Sequence, residues 1–286
     1  MKMALAILMI AMLMHNTLYA AEWMGLEDEP DLLLGFQLAT DQQQDHSQSY
    51  YLNKQLDDVD LALEYSHQTL SQSTEEFDSQ RYFGELGYRL NEQLNVAASV
   101  QFQGNPEELE TNQYSLSLDY APYPAFMSVA WMTGDVAVFT RPEIAIRRNI
   151  AHKISSDMSA IRLQFGWWFE NFSLSAEHQN FNYQRDLSAL SSRPLLQRVV
   201  KTAALAQTGL LISEQSSIDL YYPLDNRSLG GHIFFSRSAV DSSRSQSVQF
   251  DWTENLQKNI DLTLTINHSD DSSNVWSVSA GLQWLV

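Results

Sequence analysis

The chain has 286 residues, with 35 acidic side chains against 17 Lys and Arg, a formal net charge of −18 and no cysteine. That balance excludes the basic footprint a nucleic-acid binder needs, and the missing thiols exclude a disulfide framework, a thiolate metal site and a cysteine nucleophile. Beyond the first twenty residues no apolar run approaches the ~20 that a membrane helix requires, which excludes a helical inner-membrane protein.

The leading residues read as a secretory signal peptide over 1–20: Lys2 supplies the positive end, Ala4 to Met14 is unbroken apolar chain, and Ala20 and Ala21 are the small residues of a cleavage site. Residues 21–286 are expected to form one domain. From there the recurring signal is alternation of apolar and polar residues, the period of a strand. Asp31 to Thr40 carries Leu34, Phe36 and Leu38 on one face; Asp41 to Ser49 reads as an acidic, Gln-rich loop, and Tyr50 to Gln55 as a short strand. In Asp58 to Tyr65, Val59, Leu61, Leu63 and Tyr65 alternate with Asp58, Asp60 and Glu64. Arg81 to Leu90 and Leu94 to Gln103 repeat the pattern around Asn91-Glu92-Gln93, the signature of a tight hairpin.

Gly104 to Asn112 reads as a polar loop, Gln113 to Tyr120 as a strand, Ala121 to Ala125 as a proline turn and Met127 to Trp131 as the returning strand. Alternation fails over Gly134 to Asp157, read as a long loop or as a hairpin of Val136–Thr140 with Ile144–Ile150. This segment is locally basic, with Arg141, Arg147, Arg148 and Lys153. Strands resume at Ile161 to Trp167 and Phe172 to Ala176, followed by a loop over Asp186 to Arg198. Val199 to Ile212 is apolar but alternates poorly. Ile218–Tyr222, Leu229–Phe235, Val248–Trp252 and Ile260–Ile266 are further strands, and Asn274 to Val286 is the last. The candidates number fifteen, whereas a closed single-chain bacterial barrel has an even number. Up and down assignments made from the two ends collide at Val199 to Ile212. About fourteen strands are therefore expected, with twelve and sixteen as the alternatives.

In the terminal segment Trp276, Val278, Ala280, Leu282, Trp284 and Val286 share a face, and Ser277, Ser279, Gly281, Gln283 and Leu285 share the other. Ser279, Gly281, Trp284 and Val286 resemble the C-terminal signal of bacterial outer-membrane barrels, departing from it in that the last residue of that class is usually aromatic. The resemblance implies an all-β, transmembrane, antiparallel up-and-down barrel in the cell outer membrane. It also implies contact with outer-membrane lipid and lipopolysaccharide, passage through the barrel assembly machinery and, as a further partner, an envelope protein. A soluble sandwich or solenoid is the competing architecture. No internal repeat supports a solenoid, and Tyr65, Tyr88, Tyr120, Trp131, Trp252 and Trp284 near strand ends suit interfacial girdles.

With apolar residues outward, the opposite set is expected to line the interior: Asp58, Asp60, Glu64, Glu85, Asp119, Glu177, Asp219, Asp251 and Asp261, with Arg81, Arg89 and Arg162. Excess carboxylate in a lumen favours cations or neutral polar solutes; the plainer reading is that the charges pair across a filled interior. The segment with Arg141, Arg147, Arg148 and Lys153 folds inward as a constriction, binds lipopolysaccharide phosphates or a partner, or is a solvated loop. No enzyme is expected. A lipid hydrolase of the outer-membrane kind needs a serine in reach of a histidine; His268 and Ser269 are adjacent, so they point apart on a strand, and His232 has Phe234 rather than serine two residues on. A serine or acid folded against His178 or His232 would reopen the question. No HExxH, phosphate loop or calcium loop occurs, so no cofactor or metal is expected. The function read from the sequence is a channel for small polar or cationic solutes, and the alternative is a non-conducting structural or assembly/export-partner barrel.

Overall fold

A computed structural model describes residues 32–41, 45–72, 75–105, 109–140, 152–185, 187, 211–224, 226–240, 242–257, 259–270 and 275–285. It resolves the alternation into fourteen antiparallel strands. These are β1 (Leu32–Asp41), β2 (His46–Leu56), β3 (Val59–Gln72), β4 (Glu75–Asn91), β5 (Leu94–Asn105), β6 (Leu109–Tyr120) and β7 (Ala125–Thr140). They continue as β8 (His152–Trp168), β9 (Ser173–Tyr183), β10 (Ile212–Leu224), β11 (Arg227–Ser238), β12 (Arg244–Gln257), β13 (Ile260–Asp270) and β14 (Val275–Leu285). Each strand pairs with its neighbours in sequence, and β1 pairs with β14, so the sheet closes on itself.

Closure is made by the terminal segment. Trp284 sits opposite Leu34, Gly281 opposite Gln37 and Ser279 opposite Ala39. Phe36 and Trp284 stack on the outside at 5.9 Å, while inside Gln37 Nε2 donates to Ser279 Oγ at 2.7 Å. Val286 lies outside the described residues, as does the segment 1–20 expected to be a signal peptide.

The two faces of the wall differ as the alternation requires. Outside stand Leu38, Leu63, Leu86, Leu116, Val129, Leu163, Leu220, Phe250 and Ile266, all exposed. Inside stand Ser49, Ser66, Arg81, Asn95, Ser117, Ser128, Glu177, Gln249 and Asn267, all buried. No soluble protein presents a continuous apolar girdle of that extent, so the band is a surface for hydrocarbon. Aromatic side chains mark one rim as a row: Tyr50, Tyr65 and Tyr82 are successive cross-strand partners with ring centroids 6.4 and 5.1 Å apart.

Both ends of the barrel wall, Leu32 and Leu285, lie at the end carrying the short turns, such as Asp57-Asp58 and Glu92-Gln93. At the opposite end the strands run past the apolar band, and there the polarity of the faces inverts. Leu109, Val136, Val138 and Met158 point inward and pack with Leu187, Leu211 and Val240, joined by Phe181 and Tyr183. The Tyr183 hydroxyl donates to the Ile212 carbonyl at 3.0 Å, and Ala239 N donates to the Leu211 carbonyl at 2.7 Å, holding the start of β10 to the end of β9 and to the turn after β11.

This inversion explains several departures from the expected elements. Gly134 to Thr140 and His152 to Asp157 are strand, paired with one another. The proposed hairpin of Val136–Thr140 with Ile144–Ile150 is replaced by pairing of Val136–Thr140 with His152–Ser156. Alternation was lost there because apolar residues face inward above the band. In the same way β2 begins at His46, inside the expected loop Asp41–Ser49. The expected strand over Val199–Ile212 contributes only Ile212, the first residue of β10; residues 199–210 lie outside the described residues, and β9 pairs directly with β10. Removing that candidate brings fifteen to fourteen.

The orientation of the wall gives a testable asymmetry between adjacent residues of β6. Leu116, 54% exposed, should cost roughly 2–4 kcal/mol when replaced by arginine in a lipid bilayer, whereas Ser115→Arg, directed inward, should cost less than half as much. Equilibrium urea unfolding in lipid vesicles reads both; equal costs would contradict the assignment of faces.

Candidate functional site: the inner face of the barrel

The inward positions of adjacent strands meet in register, so charges distant in sequence become neighbours. On β3 and β4, Ser66 is opposite Arg81 and Glu64 is opposite Phe83. Arg81 therefore reaches diagonally to Glu64, with Nη1 3.1 Å from Oε1, while its Nε donates to Gln101 Oε1 at 3.1 Å and its guanidinium lies 5.5 Å from the Phe83 ring centroid. Both members of this ion pair are buried, a situation tolerable only because the charges compensate each other and further hydrogen bonds complete them.

A second constellation runs across β8 to β13. Arg162 Nε and Glu177 Oε2 form a loose pair at 4.0 Å. Asp219 Oδ2 accepts from Ser217 Oγ at 2.9 Å and from Ser175 Oγ at 3.5 Å. His232 stands between two carboxylates: Nδ1 is 2.8 Å from Asp219 Oδ1, and Nε2 is 2.9 Å from Asp251 Oδ2. The Nε2 contact lies off the direction of a hydrogen bond. Asp251 also accepts from Gln249 Nε2, at 2.9 and 2.8 Å to its two oxygens, and from Thr265 Oγ1.

Toward the short-turn end, Asp60, Glu85, Arg89, Asp119 and Asp261 occupy inward positions of β3, β4, β6 and β13. A Cβ on Gly87 would sit 3.4 Å from Asp60 Cβ and 3.5 Å from Asn95 Nδ2, so both side chains fold over that glycine. Gly35 has a stricter role. A Cβ there would lie 2.0 Å from the Tyr51 ring, which lies flat across β1.

The structure thus places Asp60, Glu64, Arg81, Glu85, Arg89, Asp119, Arg162, Glu177, Asp219, Asp251 and Asp261 on the inner parity of the wall. Asp58 is the exception. It belongs to the β2–β3 turn, exposed at the barrel end, where its carbonyl accepts from Arg89 N at 2.8 Å, because the tight turn takes Asp57 and Asp58 out of the alternating run. Arg141, Arg147 and Arg148 lie outside the described residues, and Lys153 is part of β8, opposite Phe139. Gln249 and Asn267 were not anticipated as site residues, and His232 was weighed only as a partner for a serine or acid. Their parity relative to Ile233, Val248 and Ile266 was the available signal.

Both histidines have a group of the kind the sequence asked about: His232 has Asp219 and Asp251 on the inner face, and His178 has Ser216. His178 Nδ1 is 2.9 Å from Ser216 Oγ on the outer face, flanked in the same cross-strand row by Leu163 and Phe235. The His178–Ser216 pair satisfies two polar side chains at a lipid-facing position. Hydrolysis asks in addition for a group that orients the imidazole and for donors at an oxyanion. Among the described residues, no group of three His, Asp or Glu is arranged to hold a metal ion.

Comparison with known proteins bears on the fold. No family model matches the sequence, and no curated protein matches it. Solved structures do. OmpT of Vibrio cholerae superposes with a TM-score of 0.53 at 8% identity, covering 89% of this chain and 96% of that one. The Ralstonia pickettii toluene transporter TbuX gives 0.52 at 11% identity, covering 90% of each chain. The fold is that of a bacterial outer-membrane β-barrel. The KdgM porin is a more distant match, at 0.45 and 8% identity, covering 88% and 98%. The apolar girdle and the closed wall set this barrel in the cell outer membrane, with the short-turn end toward the periplasm, as is general for such barrels.

Breaking the buried pair on β3 and β4 should be expensive. Arg81→Leu leaves Glu64 without compensation and should destabilise the barrel by about 3–5 kcal/mol. The double replacement with Glu64→Gln should recover more than half of that loss. Urea titration of the refolded single and double variants measures the coupling.

Proposed function

We propose that this barrel is an outer-membrane channel for small polar solutes, with a preference for cations. The observation that carries the reading is the composition of the inner face: of the residues named above, eight carboxylates (Asp60, Glu64, Glu85, Asp119, Glu177, Asp219, Asp251 and Asp261) face three arginines (Arg81, Arg89 and Arg162), with Ser, Gln and Asn between them. Asp119 adds to this. Its Oδ2 is buried on the inner face and has no hydrogen-bond partner among the described residues. A water-filled passage walled by such groups concentrates counter-ions of positive sign. The match to a structure named as a toluene transporter supports the barrel only. A wall of carboxylates and amides suits hydrated solutes better than an apolar aromatic one.

One observation favours a second reading, a non-conducting barrel that serves as a structural or assembly/export partner. The apolar cluster of Leu109, Val136, Val138, Leu187 and Leu211 packs against the inner wall at the far mouth and narrows that side. Planar-bilayer recording of the refolded protein separates the two. The channel reading expects discrete steps and, under a KCl gradient, a reversal potential displaced toward potassium. Glu85→Gln combined with Asp119→Asn should lower the potassium-to-chloride permeability ratio about twofold or more. Silence at all voltages would support the second reading, and an unchanged ratio would remove these two carboxylates from the selective path.

A further inference from the structure

The inner row on β11, β12 and β13 has an imbalance that the ion pairs do not absorb. His232, Gln249 and Asn267 are successive cross-strand partners, and all three are buried, at 2%, 1% and 2% exposure. Ser247, buried two residues from Gln249, lies on the same face. Three donors here are directed at carboxylates: His232 Nδ1 at Asp219, and Gln249 Nε2 and Thr265 Oγ1 at Asp251. The acceptors are left over. Gln249 Oε1, Asn267 Oδ1 and Ser247 Oγ have no hydrogen-bond partner among the described residues.

The orientation of the Gln249 amide is not arbitrary, because its nitrogen is committed to both oxygens of Asp251. Its oxygen must then be the uncommitted atom. Opposite residues of an antiparallel pair have Cβ atoms about 4.5–5.5 Å apart, so the Gln249 and Asn267 side chains can serve one small group together. Buried acceptors without donors are costly in a folded protein. Three of them on neighbouring positions, beside a carboxylate, describe a surface that can accept from a cationic donor, with the Gln249 oxygen fixed and the Asn267 amide and Ser247 hydroxyl free to turn their oxygens to it.

We propose that Gln249, Asn267 and Ser247 form a subsite for a small monovalent organic cation carrying several N–H groups, a primary ammonium or a guanidinium, with Asp251 supplying the charge behind them. A neutral sugar hydroxyl would bring no positive charge to set against Asp251. A divalent metal would need a denser set of charged ligands than the described residues provide. The proposal rests on the cation-channel reading and assigns it a chemical class and a place.

Titration calorimetry of ethylammonium chloride into the detergent-refolded full chain, against sodium chloride at equal ionic strength, tests the subsite without requiring conduction. Binding of ethylammonium is expected, with Asn267→Leu weakening it about tenfold, Ser247→Ala weakening it less, and Asn267→Asp preserving or tightening it. Heat-modifiable mobility on gels confirms that each variant is folded. Equal affinity in the wild type and in folded Asn267→Leu, or no binding by the wild type, overturns the subsite. A silent bilayer with Asn267-dependent binding would overturn the channel reading and leave the subsite standing. Conduction without such binding would do the reverse.

Discussion

In hydrocarbon no water is at hand to satisfy a backbone N–H or C=O, so every such group in the apolar band must find its partner within the wall. This single demand explains why β1 and β14, the two ends of the described chain, lie side by side. It also explains why the C-terminal segment does two things at once. Trp284 stacks on Phe36 outside and Ser279 accepts from Gln37 inside, so the seam is held by side chains on both faces as well as by its ladder. A half-formed wall would leave two unpaired edges in lipid, and no local adjustment compensates for that.

Given a closed wall, the interior becomes a place where charges must be managed against one another. The barrel does this by register. Cross-strand neighbours, not sequence neighbours, hold Arg81 to Glu64 and place His232 between Asp219 and Asp251. The β3–β5 side uses a guanidinium with a compact set of acceptors. The β10–β13 side uses an imidazole, two carboxylates and a fringe of hydroxyls and amides, and it is there that the buried oxygens of Gln249, Asn267 and Ser247 stand without partners among the described residues. The acidic excess of the whole chain is thus expressed unevenly around the lumen.

How much of this could be read from residues alone depended on which solvent each segment meets. Where a strand separates lipid from the lumen, as in Arg81–Leu90 or Leu94–Gln103, the period of two was unmistakable, and the inward parity of Glu85, Asp119 and Asp251 followed from it. Where strands rise beyond the band, the contrast disappears or reverses. Val136 and Val138 face inward, so Gly134–Asp157 looked irregular although Gly134–Thr140 and His152–Asp157 are paired strand. Turn chemistry misled at Asp58, whose apparent place in the alternation belongs to a two-residue turn. The partners of the charged residues were not legible, because a register is a relation between two strands and a period is a property of one. His232 illustrates the gap: its face was readable, but its contacts with Asp219 and Asp251 were not.

The reversal of polarity along β6 means that one strand is stabilised by two unlike mechanisms. At Leu116 the side chain passes from water into lipid, so truncation forfeits transfer energy but leaves no cavity, because lipid tails close over the site. At Leu109, seven residues away on the same strand and fully buried among Val136, Val138 and Leu211, water is the alternative, and truncation carries the full penalty of a cavity in a soluble core, about 2–5 kcal/mol for leucine to alanine. The mouth of this barrel is therefore a small aqueous-type domain grafted onto a membrane cylinder. It should respond to denaturant, temperature and osmolytes as water-soluble proteins do, while the cylinder beneath it responds to the lipid.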